Sequence, residues 1–166
     1  MGRSTLYTFD GVYNFERDGQ RARTLSAIYR SGVFEMCEYD VLGGSEDRPV
    51  FPPSEVSNIT NGIKDGCKFL ATEHLANEVF AFCSLVNCEG ARLVLGPTRW
   101  KSEIDDWEPM DRAVLTLPDA YLDSLLNGEA IMRQLRPTLD ALWNAAGKAH
   151  CPHYDSEGNW TASPSQ

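Results

Sequence analysis

The chain has 166 residues, 15 lysines and arginines against 24 aspartates and glutamates, and a formal net charge of -9. That length suits one domain with its own core, no apolar run approaches the roughly 20 residues that span a bilayer, and an acidic surface disfavours nucleic acid, whose binding rests on neutralising phosphates. The five cysteines (Cys37, Cys67, Cys83, Cys88 and Cys151) are odd in number and irregularly spaced, and MGRSTLYTFDG lacks a signal-peptide core and carries Leu6 where myristoylation wants Ser or Thr, so reduced thiols and a cytoplasmic location are expected.

LYTFDGVYNF sets Asp10-Gly11 between two β-prone runs, which predicts a hairpin because glycine accepts the positive φ of a tight turn. Further turns are expected at Asp18-Gly19 and Ser31-Gly32, giving a meander in which Val33, Cys37, Tyr39 and Val41 share a face; a helix through residues 20–30 competes with one of its strands. GGSEDRPVFPP (43–53) reads as a loop between a β-rich and a helix-rich part. Helical patterning follows, briefly from Ser54 and firmly from about Cys67 to Val86, with Leu75, Val79, Phe82 and Val86 as its buried stripe and a stop near Gly90.

ARLVLGP and AVLTL then suit strands, with the acidic stretch KSEIDDWEPMD between them. Asp119 is expected to cap a short helix ended by Asn127-Gly128. Ile131, Leu135, Leu139, Leu142 and Ala146 trace one apolar face from Glu129 to Gly147, along a helix that Pro137 bends or divides. The expected fold is α+β: an N-terminal antiparallel β-meander continued by one or two later strands, covered on one face by a long central helix and C-terminal helices. Residues 1–160 form a single domain on this reading and 161–166 a flexible tail.

HCPHYDSEGNW (150–160) is the densest chemistry in the chain. Asp155 and Gly158 stand at the first and last positions of a type I turn, so the segment reads first as a hairpin across which His153 or Tyr154 meets Trp160. Zinc bound by His150, Cys151 and His153 is an alternative, with a fourth ligand from Cys67, His74, Cys83 or Cys88, but no compact paired-ligand signature is complete. A second alternative is catalysis by a Cys151 thiolate with His150, His153 or His74 as base and Asp155 as orienting group.

Around Trp107 the carboxylates of Asp105, Asp106, Glu108 and Asp111 match no calcium loop, although Asp105, Asp106 and Asp111 could face magnesium. Trp107 and Met110 among them suit a contact surface, an apolar anchor whose charged surround (Asp105, Asp106, Glu108) steers a basic partner. No dinucleotide or P-loop glycine motif, nucleophile elbow or H-E-x-x-H occurs. The functional expectation is therefore a small acidic binding module, regulatory, sensory or inhibitory, acting by protein-protein contact without a cofactor. The alternative is a small Cys/His-dependent or zinc-dependent enzyme.

Overall fold

A computed structural model describes residues 2–18, 21–39, 41–45, 48–93 and 108–161. The fold is α+β, and the chain divides into two compact units, Met1–Val41 and Leu42–Gln166. The division falls just before the segment expected to separate β-rich from helix-rich parts.

The first unit is the anticipated meander. Strands β1 (Gly2–Tyr7), β2 (Gly11–Asp18), β3 (Arg21–Tyr29) and β4 (Phe34–Glu38) pair antiparallel in sequence order, so the segment that might have been helical is a strand. Pairing of Leu6 with Tyr13, Tyr13 with Ala27 and Ala27 with Glu35 places these four side chains on one face. Val33 and Tyr39 are exposed, so the period-two pattern in that segment does not mark a core face. Among the described residues no later strand joins this sheet.

The second unit holds small sheets and three helices among the described residues. Where a loop was expected, β5 (Gly43–Ser45) and β6 (Arg48–Phe51) form a hairpin, and β6 pairs in parallel with β9 (Arg92–Leu93). Val50, Phe51 and Leu93 are buried there. Pro49 is tolerated because the ladder is only three pairs long and proline removes a single donor from it.

Helix α1 (Pro53–Thr72) starts earlier and ends earlier than the stripe of Leu75, Val79, Phe82 and Val86 implied. Its buried positions are Val56, Thr60, Cys67 and Leu70, at helical spacing, and Pro53 occupies the first turn, where its missing N–H costs nothing. The helix stops at His74, in the left-handed region at φ 57. The Leu75 amide donates to the Leu70 carbonyl at 2.8 Å and the His74 amide to Ala71 at 3.1 Å, which is Schellman closure without glycine.

Residues 79–86 are therefore not helical. Strands β7 (Val79–Ala81) and β8 (Ser84–Val86) pair with β11 (Ala120–Leu122) and β10 (Val114–Thr116) respectively. The Leu117 amide bridges to the Cys83 carbonyl at 3.0 Å, so the two short ladders follow one another along a single interrupted ribbon. Asp119 caps no helix, since it directly precedes β11. Asn127 instead opens helix α2 (Gly128–Gln134), its Oδ1 accepting from the Glu129 and Ala130 amides. Helix α3 (Arg136–Asn144) follows at once, so Pro137 divides the apolar face into two helices as expected.

Ile131, Leu135, Leu139, Leu142 and Ala146 are all buried. Gly147 closes α3 at φ +76, with Lys148 donating to Trp143 and Gly147 to Asn144, both at 3.0 Å. The contrast between the two sequence stripes is testable by denaturant unfolding. Leu142→Ala, at a fully buried site, lowers stability by about 2–5 kcal/mol, whereas Phe82→Ser changes it by less than about 0.5 kcal/mol, because that ring faces solvent.

Candidate functional site

The C-terminal segment folds as the turn that its aspartate and glycine imply. The Gly158 amide donates to the Asp155 carbonyl at 3.0 Å, and Asp155 Oδ1 accepts from the amides of Glu157 (2.9 Å) and Asn159 (2.8 Å). These bonds hold the Asp155 carboxyl below its ordinary range and commit it to the turn. Tyr154 and Trp160 bridge across the hairpin with rings 5.3 Å apart, and Trp160 also stacks on His153 at 4.9 Å.

The turn is fastened to the helices. The Cys151 amide donates to Asp140 Oδ1 at 2.7 Å, the Tyr154 hydroxyl to the Met132 carbonyl, and Arg133 Nη2 to Asn159 Oδ1 at 2.8 Å. Arg136 lies over the Tyr154 ring at 5.5 Å, and its Nε reaches Asp140 at 3.5 Å. Trp143 meets His153 edge-to-face at 6.0 Å.

This setting separates the residues that zinc or thiol chemistry would need together. His150 is exposed, while Cys151 is fully buried and His153 nearly so. Burial pushes the Cys151 thiol up to about 11, and the same cause lowers the His153 imidazole. A working thiolate-imidazolium pair needs both shifts in the opposite direction. His74, within the expected helix, sits in the turn after α1, and nearby in sequence Glu78 accepts from the Tyr121 hydroxyl. Cys67 and Cys88 are buried, and the Cys88 thiol donates to the Arg112 carbonyl at 3.3 Å. Among the described residues no three His, Cys, Asp or Glu side chains are grouped to hold a metal ion.

The acidic tryptophan stretch is placed only at its end. Trp107, Asp105 and Asp106 lie outside the described residues. Glu108 is exposed, and its Cβ and Cγ rest where a side chain at Gly147 would stand. Met110 is 2% exposed and exchanges backbone bonds with Gly90 and Ala91, so it is a core residue and presents no surface anchor. Asp111 is held below its ordinary pKa by its bonds to the neighbouring Arg112.

Most of the large apolar side chains that reach solvent in this unit lie on the ribbon, whose residues 79–86 the sequence pattern had assigned to a helix; Leu75 and Leu126 are exposed outside it. Leu85, Leu115, Ala120 and Leu122 turn inward. Phe80 (61% exposed), Phe82 (78%), Val86 (65%), Val114 and Tyr121 turn out, with Phe80 and Tyr121 opposite each other at 5.3 Å and Val86 opposite Val114. The exposed Ser84–Thr116 pair lies between them on the same face; exposed apolar side chains grouped in this way mark a contact site more often than scattered ones do.

At the end where β7 begins and β11 finishes, a depression of about 340 Å³ is lined by Ala71, Asn77, Ser124, Leu125, Leu126 and Asn127. Segments 73–91 and 113–128, which carry the ribbon and its flanks, contain Glu73, Glu78, Glu89, Asp119 and Asp123 and neither lysine nor arginine.

No family model, curated protein or solved structure matches the chain. Among the described residues, no helix is long and apolar enough to cross a membrane.

Two outcomes follow from the fastened turn. At neutral pH Cys151 reacts with iodoacetamide more slowly than a free cysteine, and at the ordinary rate only once urea unfolds the chain, as peptide mapping of the label will record. His153 binds a proton more weakly folded than unfolded, so its contribution to stability is complete above pH 6.5 and declines as pH falls through its lowered folded value. The urea midpoint of the natural chain accordingly drops further between pH 7.5 and pH 5 than that of His153→Phe.

Proposed function

We propose that this chain is a binding module that acts by protein-protein contact through the outer face of its β-ribbon. The observation that carries the reading is the exposure of Phe80, Tyr121, Val86 and Val114 on one face of paired strands, with Phe82 exposed in the link between β7 and β8. Aromatic side chains supply large contact area with few rotatable bonds, and they dominate the energetics of contact surfaces.

The flanking carboxylates and the absence of lysine and arginine from both ribbon segments select the partner's chemistry. It presents apolar side chains interleaved with Lys or Arg, and the depression beside Leu126 accepts one apolar anchor. Steering by the net charge of -9 raises the encounter rate with such a surface and opposes ribbon-to-ribbon pairing of two copies. Trp107, with Asp105, Asp106 and Glu108, is retained as a second contact element on the strength of its composition.

Isothermal calorimetry with a synthetic peptide of alternating leucine and lysine tests this reading. The peptide binds, binding weakens as salt rises, and Phe80→Ser and Phe82→Ser each reduce affinity by about fivefold or more. A leucine-glutamate peptide of equal length does not bind. Equal binding by both peptides, or lysine-peptide binding untouched by Phe80→Ser and Phe82→Ser, overturns the assignment. Trp107→Ala measured alongside shows whether that side chain shares the contact.

A further inference from the structure

The first unit contains a separate cavity of about 310 Å³, lined by Phe9, Asp10, Tyr13, Tyr29, Arg30 and Ser31. Its walls follow from one close approach. At Gly11 a Cβ would stand 2.1 Å from the Ile28 carbonyl oxygen, so only glycine lets the start of β2 lie this near the end of β3. The approach sets Tyr13 perpendicular to Tyr29 with ring centroids 5.6 Å apart. The Thr8 amide donates to the Gly11 carbonyl at 2.9 Å and the Arg30 amide to the Asp10 carbonyl at 2.8 Å, which fixes the turn carrying Phe9 and Asp10 against the turn carrying Arg30 and Ser31.

We propose that this cavity binds a methylated ammonium group. Three aromatic rings line it, Tyr13 and Tyr29 edge-to-face at right angles and Phe9 with a face that already meets a cation, and a methylated ammonium is the cation that loses least hydration on meeting such rings. The Tyr29 hydroxyl donates to the Glu35 carboxylate, which adds electron density to one wall. Asp10 supplies the formal negative charge, and among the described residues no side chain or amide bonds its carboxylate.

The site already holds a cation of its own chain, since the Arg30 guanidinium lies over the Phe9 ring at 5.7 Å. Arg30 is exposed, so a ligand displaces it without breaking a packed core. An anionic ligand would face Asp10 in the lining, and an uncharged apolar one would gain nothing from it.

Titration of the full chain with tetramethylammonium chloride at constant ionic strength, followed by amide chemical shifts, tests the proposal. Saturable shifts are expected at residues 9–13 and 29–31, with ammonium binding clearly more weakly. Phe9→Leu, at an exposed turn position that does not endanger folding, and Tyr13→Leu each weaken binding by about two- to fivefold. Arg30→Gln strengthens it, because it frees the Phe9 face and removes a like charge. Tighter binding of choline than of a trimethyllysine peptide assigns the site to a small molecule, and the reverse order assigns it to a modified protein; either supports it. Equal binding of ammonium and tetramethylammonium would mean simple pairing with Asp10, and that result, an absence of saturation, or indifference to Phe9→Leu overturns the proposal.

Discussion

A two-stranded ribbon has two faces, and this chain can give only one of them to a core. Once Leu85, Leu115, Ala120 and Leu122 are committed inward, the period-two alternation of a strand forces Phe80, Tyr121, Val86 and Val114 outward. No choice of side-chain rotamer escapes this, because the face is set by the backbone register. The exposed apolar surface is thus a direct consequence of pairing 79–86 with 114–122. Polar residues at these positions would serve the fold equally well, and their apolar character is therefore the feature that asks for a function.

The same register shows why one half of the molecule was legible and the other was not. Ile131, Leu135, Leu139, Leu142 and Ala146 recur at helical spacing and bury a helix face, because here periodicity, the Asn127 cap, Pro137 and Gly147 all agree. Leu75, Val79, Phe82 and Val86 recur at the same spacing, yet residues 79–86 are strands. The signal that ends α1 is His74 in a left-handed conformation, a position usually marked by glycine, so nothing in the residue types announced the stop. Conversely, α1 itself was underestimated because its first half, PSEVSNITNG, is rich in residues that favour caps and turns, and only tertiary burial of Val56 and Thr60 holds it helical. The meander was readable from Asp10-Gly11 and Ser31-Gly32, although of these two glycines only Gly32 has a positive φ, and Gly19 of the third expected turn lies outside the described residues; the hairpin of β5 and β6 was hidden by prolines and glycines that usually mark loops. Of the expected contact residues, Met110 proved to be core, and composition alone could not separate it from its acidic surroundings.

The C-terminal segment illustrates how burial overrules composition. Two histidines, a cysteine and a carboxylate within six residues suggest chemistry, but reactivity depends on which charged forms the environment favours. Here Cys151 and His153 are carried inward by Trp143, Trp160 and the Asp140 carboxylate, and each is driven toward its neutral form. Asp155 is meanwhile occupied by two amides of its own turn. These groups fasten residues 151–160 to α2 and α3, and the geometry that stabilises the turn opposes a thiolate-imidazolium pair there.

Both units nonetheless share one local arrangement. In each, a tyrosine donates to a carboxylate and lies against another aromatic ring: half-buried Tyr29 with Glu35 and Tyr13 in the first, exposed Tyr121 with Glu78 and Phe80 in the second. Burial does not explain these pairs, since all four tyrosine and glutamate side chains are at least partly open to solvent. A carboxylate beside an aromatic face repels anions and favours cations, and the ring contributes area that a carboxylate alone lacks. In a cavity with perpendicular walls this chemistry suits a compact, weakly hydrated cation. On a flat strip some eight residues long it suits a chain of alternating basic and apolar groups. The shape of the surface, more than its composition, therefore separates the two proposed ligands.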